Sequence, residues 1–274
     1  METKAYLQKL VRQPDEKIDL AEAALHVAAE EYPELDIPTY LQQLRGWGDE
    51  MKLSISSRSL LGKIEKINEW FYDRLHFSGN VDNYYDPKNS FLNEVIDRRK
   101  GIPITLSVIY LDFAWSLGLN AYGIGFPGHF LVGVPDADHP VFIDTFHNGK
   151  VMTASQCADF LKDISEDEVT FQRSFLAPVT KQQTLIRMLR NLRGIYLEKK
   201  NYAKLVKVLG LLIVMNPDVP EEVRDRGIIY YEMEAFRLAL QDFETYLSVA
   251  TDTEDAEVIN QYVEVLREYS AHLN

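Results

Sequence analysis

The sequence predicts an α+β core, a central helix on a small antiparallel sheet, with helices before it and an all-α domain after it. Three observations carry this reading. Apolar residues recur at helical spacing through the first 76 residues. Short β-like runs at 120–126, 129–134 and 140–146 follow one unusually apolar helix. From Thr180 onward two helical hairpins repeat, marked by Gly194 and Gly227.

In the N-terminal region, Leu20, Ala24, Val27 and Ala28 form one stripe behind Asp19, a predicted N-cap. A second helix starts near Asp36, with Pro38 in its first turn. Tyr40, Leu41 and Leu44 turn inward, and the helix is expected to break between Gly46 and Gly48. A third, from Ser59 to Leu75, carries Leu60, Leu61, Ile64, Ile67, Trp70 and Phe71. Gly, Asn, Asp and Pro in Phe77–Pro87 read as an ordered surface loop.

A short helix is expected from Asn89 to Lys100, stopping at Gly101, and Pro103 opens the next one. In that helix Leu106, Ile109, Tyr110, Phe113, Ala114 and Leu117 cover so much surface that it must be buried. Three β-like runs follow, and Asn148-Gly149 reads as a turn into Lys150, Val151 and Met152. Thr153 with Gln156 is a capping-box pattern for a further helix through Leu161. The expected organisation is a helical region at 1–76 packed on a core at 77–178, then helical repeats at 179–274.

Composition narrows the function. With 46% hydrophobic residues the chain can bury a full core, and its formal net charge of −13 lies mainly in residues 1–180. Acidity of that size, with no Lys/Arg-rich run, repels phosphate backbones and anionic lipids, so direct nucleic-acid and membrane partners are not expected. The first residues, METKAYLQKLVRQPDEK, hold no apolar leader, and no stretch reaches the roughly 20 apolar residues of a membrane helix. A cytoplasmic location follows as an expectation. The single cysteine, Cys157, excludes an internal disulfide and a multi-cysteine metal cluster. A structural or merely exposed role is expected for it.

The chemistry-bearing positions are the helix start at Pro103, His129 at the start of one strand and Asp144 in the next. A nucleophile at a helix N-terminus gains from the dipole and free amides. A histidine on a facing strand is the base, and a carboxylate orients it. The segments GIPITLSVIYLDFAWSLGLNA, GHFLVGV and FIDTF resemble the transglutaminase-like superfamily, which implies a papain/transglutaminase-like core. In that superfamily a catalytic cysteine lies about fifteen residues before the glycine ending the core helix, and counting back from Gly118 reaches Pro103. His129 and Asp144 match the family's histidine and aspartate, while the cysteine is missing. The whole chain resembles the bacterial YchA (SirB, invasion regulator) family, which joins such a core to tetratricopeptide-like repeats. In the second hairpin Gly227, Tyr230, Ala239 and Phe243 fall at that repeat's small and aromatic positions; the first departs, with Val206 where the second has Ala239.

Proline also lacks the backbone N–H that such sites use for an oxyanion. Thr105 and Ser107 are nearby hydroxyls, roughly 200° and 400° round the helix from Pro103 at about 100° per residue. Either is a possible replacement nucleophile, against the plainer reading of hydroxyls bonded within a buried helix. A metal site of His129, Asp144 and His147 is conceivable, but no H-x-x-x-H spacing supports it, and neither metal nor cofactor is expected. Asn89 and Asn93 are candidate cleft residues, and Tyr84, Tyr85 and Trp47 candidates for a binding rim. Arg98, Arg99 and Lys100 read as a solvated helix end. The resulting expectation is a noncatalytic interaction or regulatory protein with a protein or peptide partner. The alternative is a hydrolase or acyltransferase using His129 and Asp144 with an unusual nucleophile or an activated water.

Overall fold

The computed structural model describes residues 2–55, 59–136, 139–165, 169–250 and 254–272. Helices α1 (Glu2–Leu10), α2 (Leu20–Ala29), α3 (Ile37–Leu53) and α4 (Leu60–Asn68) come first. Asp19, Asp36 and Ser59 cap α2, α3 and α4, each side chain accepting from the backbone N–H three residues on. The break expected at Gly46 to Gly48 is absent, and α3 continues to Leu53. Leu44, Gly48 and Met51 form its buried stripe. Gly48 is where Ser116 comes close, since a Cβ there would lie 3.2 Å from the Ser116 hydroxyl oxygen. The helix expected to reach Leu75 instead widens into a π-helical turn at Glu69–Arg74. That turn buries Trp70 and Phe71 and leaves Tyr72 donating to the Thr145 carbonyl at 3.0 Å.

A two-residue parallel pair follows, β1 (Ser78–Gly79) with β2 (Lys100–Gly101). Between them the single helix expected from Asn89 to Lys100 is two elements, a 3₁₀ turn at Pro87–Ser90 and α5 (Leu92–Arg98). Phe91 is extended and separates them. Helix α6 (Pro103–Ser116) is buried along nearly its whole length, as its apolar coverage requires.

The main sheet has the order β6-β5-β4-β3-β7 and is antiparallel throughout. Its strands are β3 (Tyr122–Ile124), β4 (Leu131–Val134), β5 (Val141–Asp144), β6 (Lys150–Met152) and β7 (Pro178–Val179). Asn148 and Gly149 take φ of 54° and 67°, the left-handed conformations that an Asn-Gly turn supplies without strain. Helix α7 (Ala154–Ser165) starts with the expected capping box. It packs through Cys157 and Leu161 on Ile124, Phe126, Leu131, Phe142 and Met152.

Helices α8 (Lys181–Glu198), α9 (Tyr202–Met215), α10 (Glu221–Glu232), α11 (Phe236–Leu247) and α12 (Glu254–His272) complete the chain. Together they make the fold a mixed one, an α+β region followed by helical repeats. Gly227 sits against Phe243, whose ring a Cβ would meet at 2.7 Å, whereas Gly194 has open space around it. Only the second hairpin therefore uses its glycine for close helix contact. Two compact units emerge, residues 12–188 and residues 1–11 with 189–274. Within the second of these units α1 packs on α9. No helix among the described residues is long and apolar enough to cross a membrane.

Candidate functional site

Helix α6 begins at Pro103, where the missing N–H costs no helical bond. The two hydroxyls behind it are fully buried. Thr105 Oγ1 accepts from Ile102 N at 3.2 Å and lies 2.8 Å from the Asn89 carbonyl oxygen and 3.1 Å from that of Ile102. Ser107 Oγ pairs with Thr145 Oγ1 at 2.8 Å, and Thr145 Oγ1 is also 3.2 Å from the Pro103 carbonyl oxygen. Both hydroxyls join the helix start to its neighbours, and Thr145 brings the residue after Asp144 against Pro103.

Asp144 ends β5 and is 1% exposed. Its Oδ1 lies 2.9 Å from His129 Nε2 and accepts from the backbone N–H of Phe146 at 3.0 Å and of His147 at 3.2 Å. Oδ2 lies 2.7 Å from His147 Nδ1. Burial raises the carboxyl pKa, but bonding to His129 and then His147 outweighs it, and the group is held at about 2. Asp144 is therefore ionised at neutral pH, and both rings donate to it. The imidazoles of His129 and His147 lie nearly parallel, 5.8 Å apart. Phe146 and Phe160 stand edge-on to them.

The site rests on neighbours that sequence reading passed over. Arg187 donates to the carbonyls of Phe126 and His129 at 2.8 and 2.6 Å, fixing the turn that presents His129. Asn68 donates to the Gly149 carbonyl at 3.0 Å and accepts from the Tyr110 hydroxyl at 2.8 Å, pinning the turn after His147. A Cβ on Gly79 would meet the Phe146 ring at 2.7 Å, so only glycine leaves that ring its place. These partners lie 42 to 81 residues apart in sequence, and no local pattern signals them.

Of the other candidates, Asn89 is fully buried and engaged. Its Oδ1 accepts from Asn80 and Arg98, and its Nδ2 donates to the carbonyls of Asn83 and Tyr84. The residue organises the loop and has no polar atom to spare for a ligand. Asn93 is buried with its Oδ1 unpartnered. Tyr84 packs edge-on to Phe146 and Tyr85, and Tyr85 is 64% exposed. Trp47 is held edge-on to Phe77 and Phe113, with the Arg99 guanidinium over its ring, and so is part of the packing. Arg98 is paired with Asp86 and Glu94. Cys157 is fully buried and its thiol is pushed up to about 12, by burial first and by the Asp144 charge second.

A model of the transglutaminase-like superfamily matches residues 38–190, the stretch that carries Pro103, His129 and Asp144. The chain belongs to this superfamily. A tetratricopeptide-repeat model matches residues 192–264. A UPF0162 protein of Xylella fastidiosa (strain Temecula1 / ATCC 700964) is 32% identical over 253 residues, covering 91% of this chain and 90% of that one. Another, from Vibrio cholerae serotype O1, is 26% identical over 251 residues, covering 91% and 93%. F-box only protein 21 of Mus musculus is 30% identical over 194 residues, which is 67% of this chain and 29% of that longer protein. The transglutaminase-like region and the tetratricopeptide repeats thus occur together here, with relatives along nearly the whole length.

Proposed function

We propose that the chain is a noncatalytic, transglutaminase-like interaction or regulatory protein of the cytoplasm, which binds a protein or peptide through its cleft and its repeats. The observation that supports this best is the state of the nucleophile side. Proline stands at the helix start, both hydroxyls behind it are buried in hydrogen bonds, and the one thiol is packed beneath the sheet with its pKa far above neutral. On this reading the base and its orienting carboxylate serve a helix start that offers neither a nucleophile nor, at Pro103, the amide proton of an oxyanion hole. Tetratricopeptide repeats are interaction surfaces by construction, stacking hairpins into an extended groove.

The second reading, a hydrolase or acyltransferase working through activated water, draws on one feature. Asp144 occupies Nε2 of His129, and no hydrogen bond among the described residues engages Nδ1. That nitrogen is able to accept a proton from water. Incubation with glutamine- and amide-containing peptide libraries, read by mass spectrometry, separates the two. The noncatalytic reading expects identical blanks from wild type and His129→Ala. Turnover that His129→Ala abolishes would replace it with the second.

A further inference from the structure

We propose that His129, Asp144 and His147 bind one divalent transition-metal ion of the zinc type. Two imidazoles and a carboxylate are ordinary ligands for such an ion, and three protein ligands leave positions open for water or another donor. One donor atom from each residue lies within 4.8 Å of the others. The ring nitrogens now stand 2.9 and 2.7 Å from the carboxylate oxygens. Two donors at about 2.1 Å from a tetrahedral ion stand about 3.4 Å apart, so the carboxylate and the two rings must part by about half an ångström or more to admit one.

The surroundings fit a built site. Two backbone N–H groups, of Phe146 and His147, fix Oδ1 of Asp144, which orients Oδ2. Such supporting bonds are what orient metal ligands elsewhere. His147 belongs to a short turn whose conformation is held from outside, by the bond from Asn68 to the Gly149 carbonyl. Its side chain is 52% exposed, so an ion can reach the group from solvent. Phe146 and Phe160 wall the imidazoles. On binding, each neutral ring shifts its proton to its other nitrogen, from Nε2 to Nδ1 in His129 and from Nδ1 to Nε2 in His147. The ion takes the two freed lone pairs and Oδ2, and no net proton is lost.

The proposal is independent of whether the cleft catalyses anything. To test it, untagged full-length protein is stripped with chelator, desalted and titrated with zinc chloride by calorimetry, with melting followed in parallel. One ion per chain and a raised melting temperature are expected. His147→Ala loses its bond to Asp144, so it should melt below the metal-free wild type, show no further rise with zinc, and bind zinc weaker by roughly tenfold or more. His129→Ala should lose binding as well, and His139→Ala should bind as wild type does. Absence of binding to the wild type, or binding that both His147→Ala and His129→Ala leave intact, would overturn the proposal.

Discussion

The start of α6 and the end of β5 meet through Thr145, whose hydroxyl lies 3.2 Å from the Pro103 carbonyl oxygen, and the polar groups on the two sides are used differently. At the helix start both hydroxyls are turned to structure: Thr105 bonds backbone, Ser107 bonds Thr145, and Pro103 has neither thiol nor amide proton to offer. At the strand ends Asp144 and His129 are buried and His147 is half-exposed, and their polar groups are not exhausted. Asp144 binds two imidazoles and two amides, yet each ring keeps a nitrogen that no hydrogen bond among the described residues engages. A hydroxyl near a helix start is thus no nucleophile when its proton and lone pairs are already assigned. A histidine held from one side stays chemically available on the other.

The largest effect should come from removing the centre of the strand side. Asp144→Ala deletes a buried carboxylate, frees two backbone donors and leaves two rings unpartnered, so a loss of about 3–5 kcal/mol in urea unfolding is expected. The same carboxylate gives an acid signature. Its folded pKa is lowered from 3.8 to about 2. Its contribution, roughly 2 kcal/mol, is therefore complete above the unfolded value and disappears as pH falls through that window. A variant as stable as wild type, with an unchanged acid limb, would mean that the two histidines hold the carboxylate far less firmly than the distances imply.

Next in size is Asn89→Ala, which strands the buried amide of Asn80 and releases the carbonyls of Asn83 and Tyr84, and should cost roughly 1–2 kcal/mol. It tests whether the loop before α5 supports the helix side. Smaller still is Ser107→Ala. Thr145 keeps its bond to the Pro103 carbonyl, so about 1 kcal/mol is expected, with no change in any activity or binding assay. A functional loss from Ser107→Ala without loss of stability would restore that hydroxyl as a nucleophile and collapse the contrast.

Much of the architecture was legible in the sequence because local rules set it. Capping side chains, helical stripes, the capping box at Thr153 and the Asn148-Gly149 turn each act within four residues. The missed features are those decided at a distance. Gly46 and Gly48 read as a helix break, but Gly48 is small because Ser116 is near it. Asn89 reads as a cleft residue, and its amide is engaged by Asn80, Asn83, Tyr84 and Arg98. The His129 to Asp144 bond follows from strand order. The place of His147 on the other oxygen of the same carboxylate depends on the exact path of a turn, which spacing does not reveal. Arg187 and Asn68 are invisible for the same reason.

The alignment of Pro103 with a lost nucleophile is the central claim, and Pro103→Cys tests it most directly. Proline at the first helical position gives up no helical bond, so the variant should fold. It places a thiol and an amide at a helix N-terminus opposite His129, whose ring Asp144 holds. Measured with iodoacetamide near pH 7, the engineered thiol should react faster than Cys157, and the excess should fall when His129→Ala is added. A thiol as inert as Cys157, or one whose reactivity ignores His129, would contradict the account.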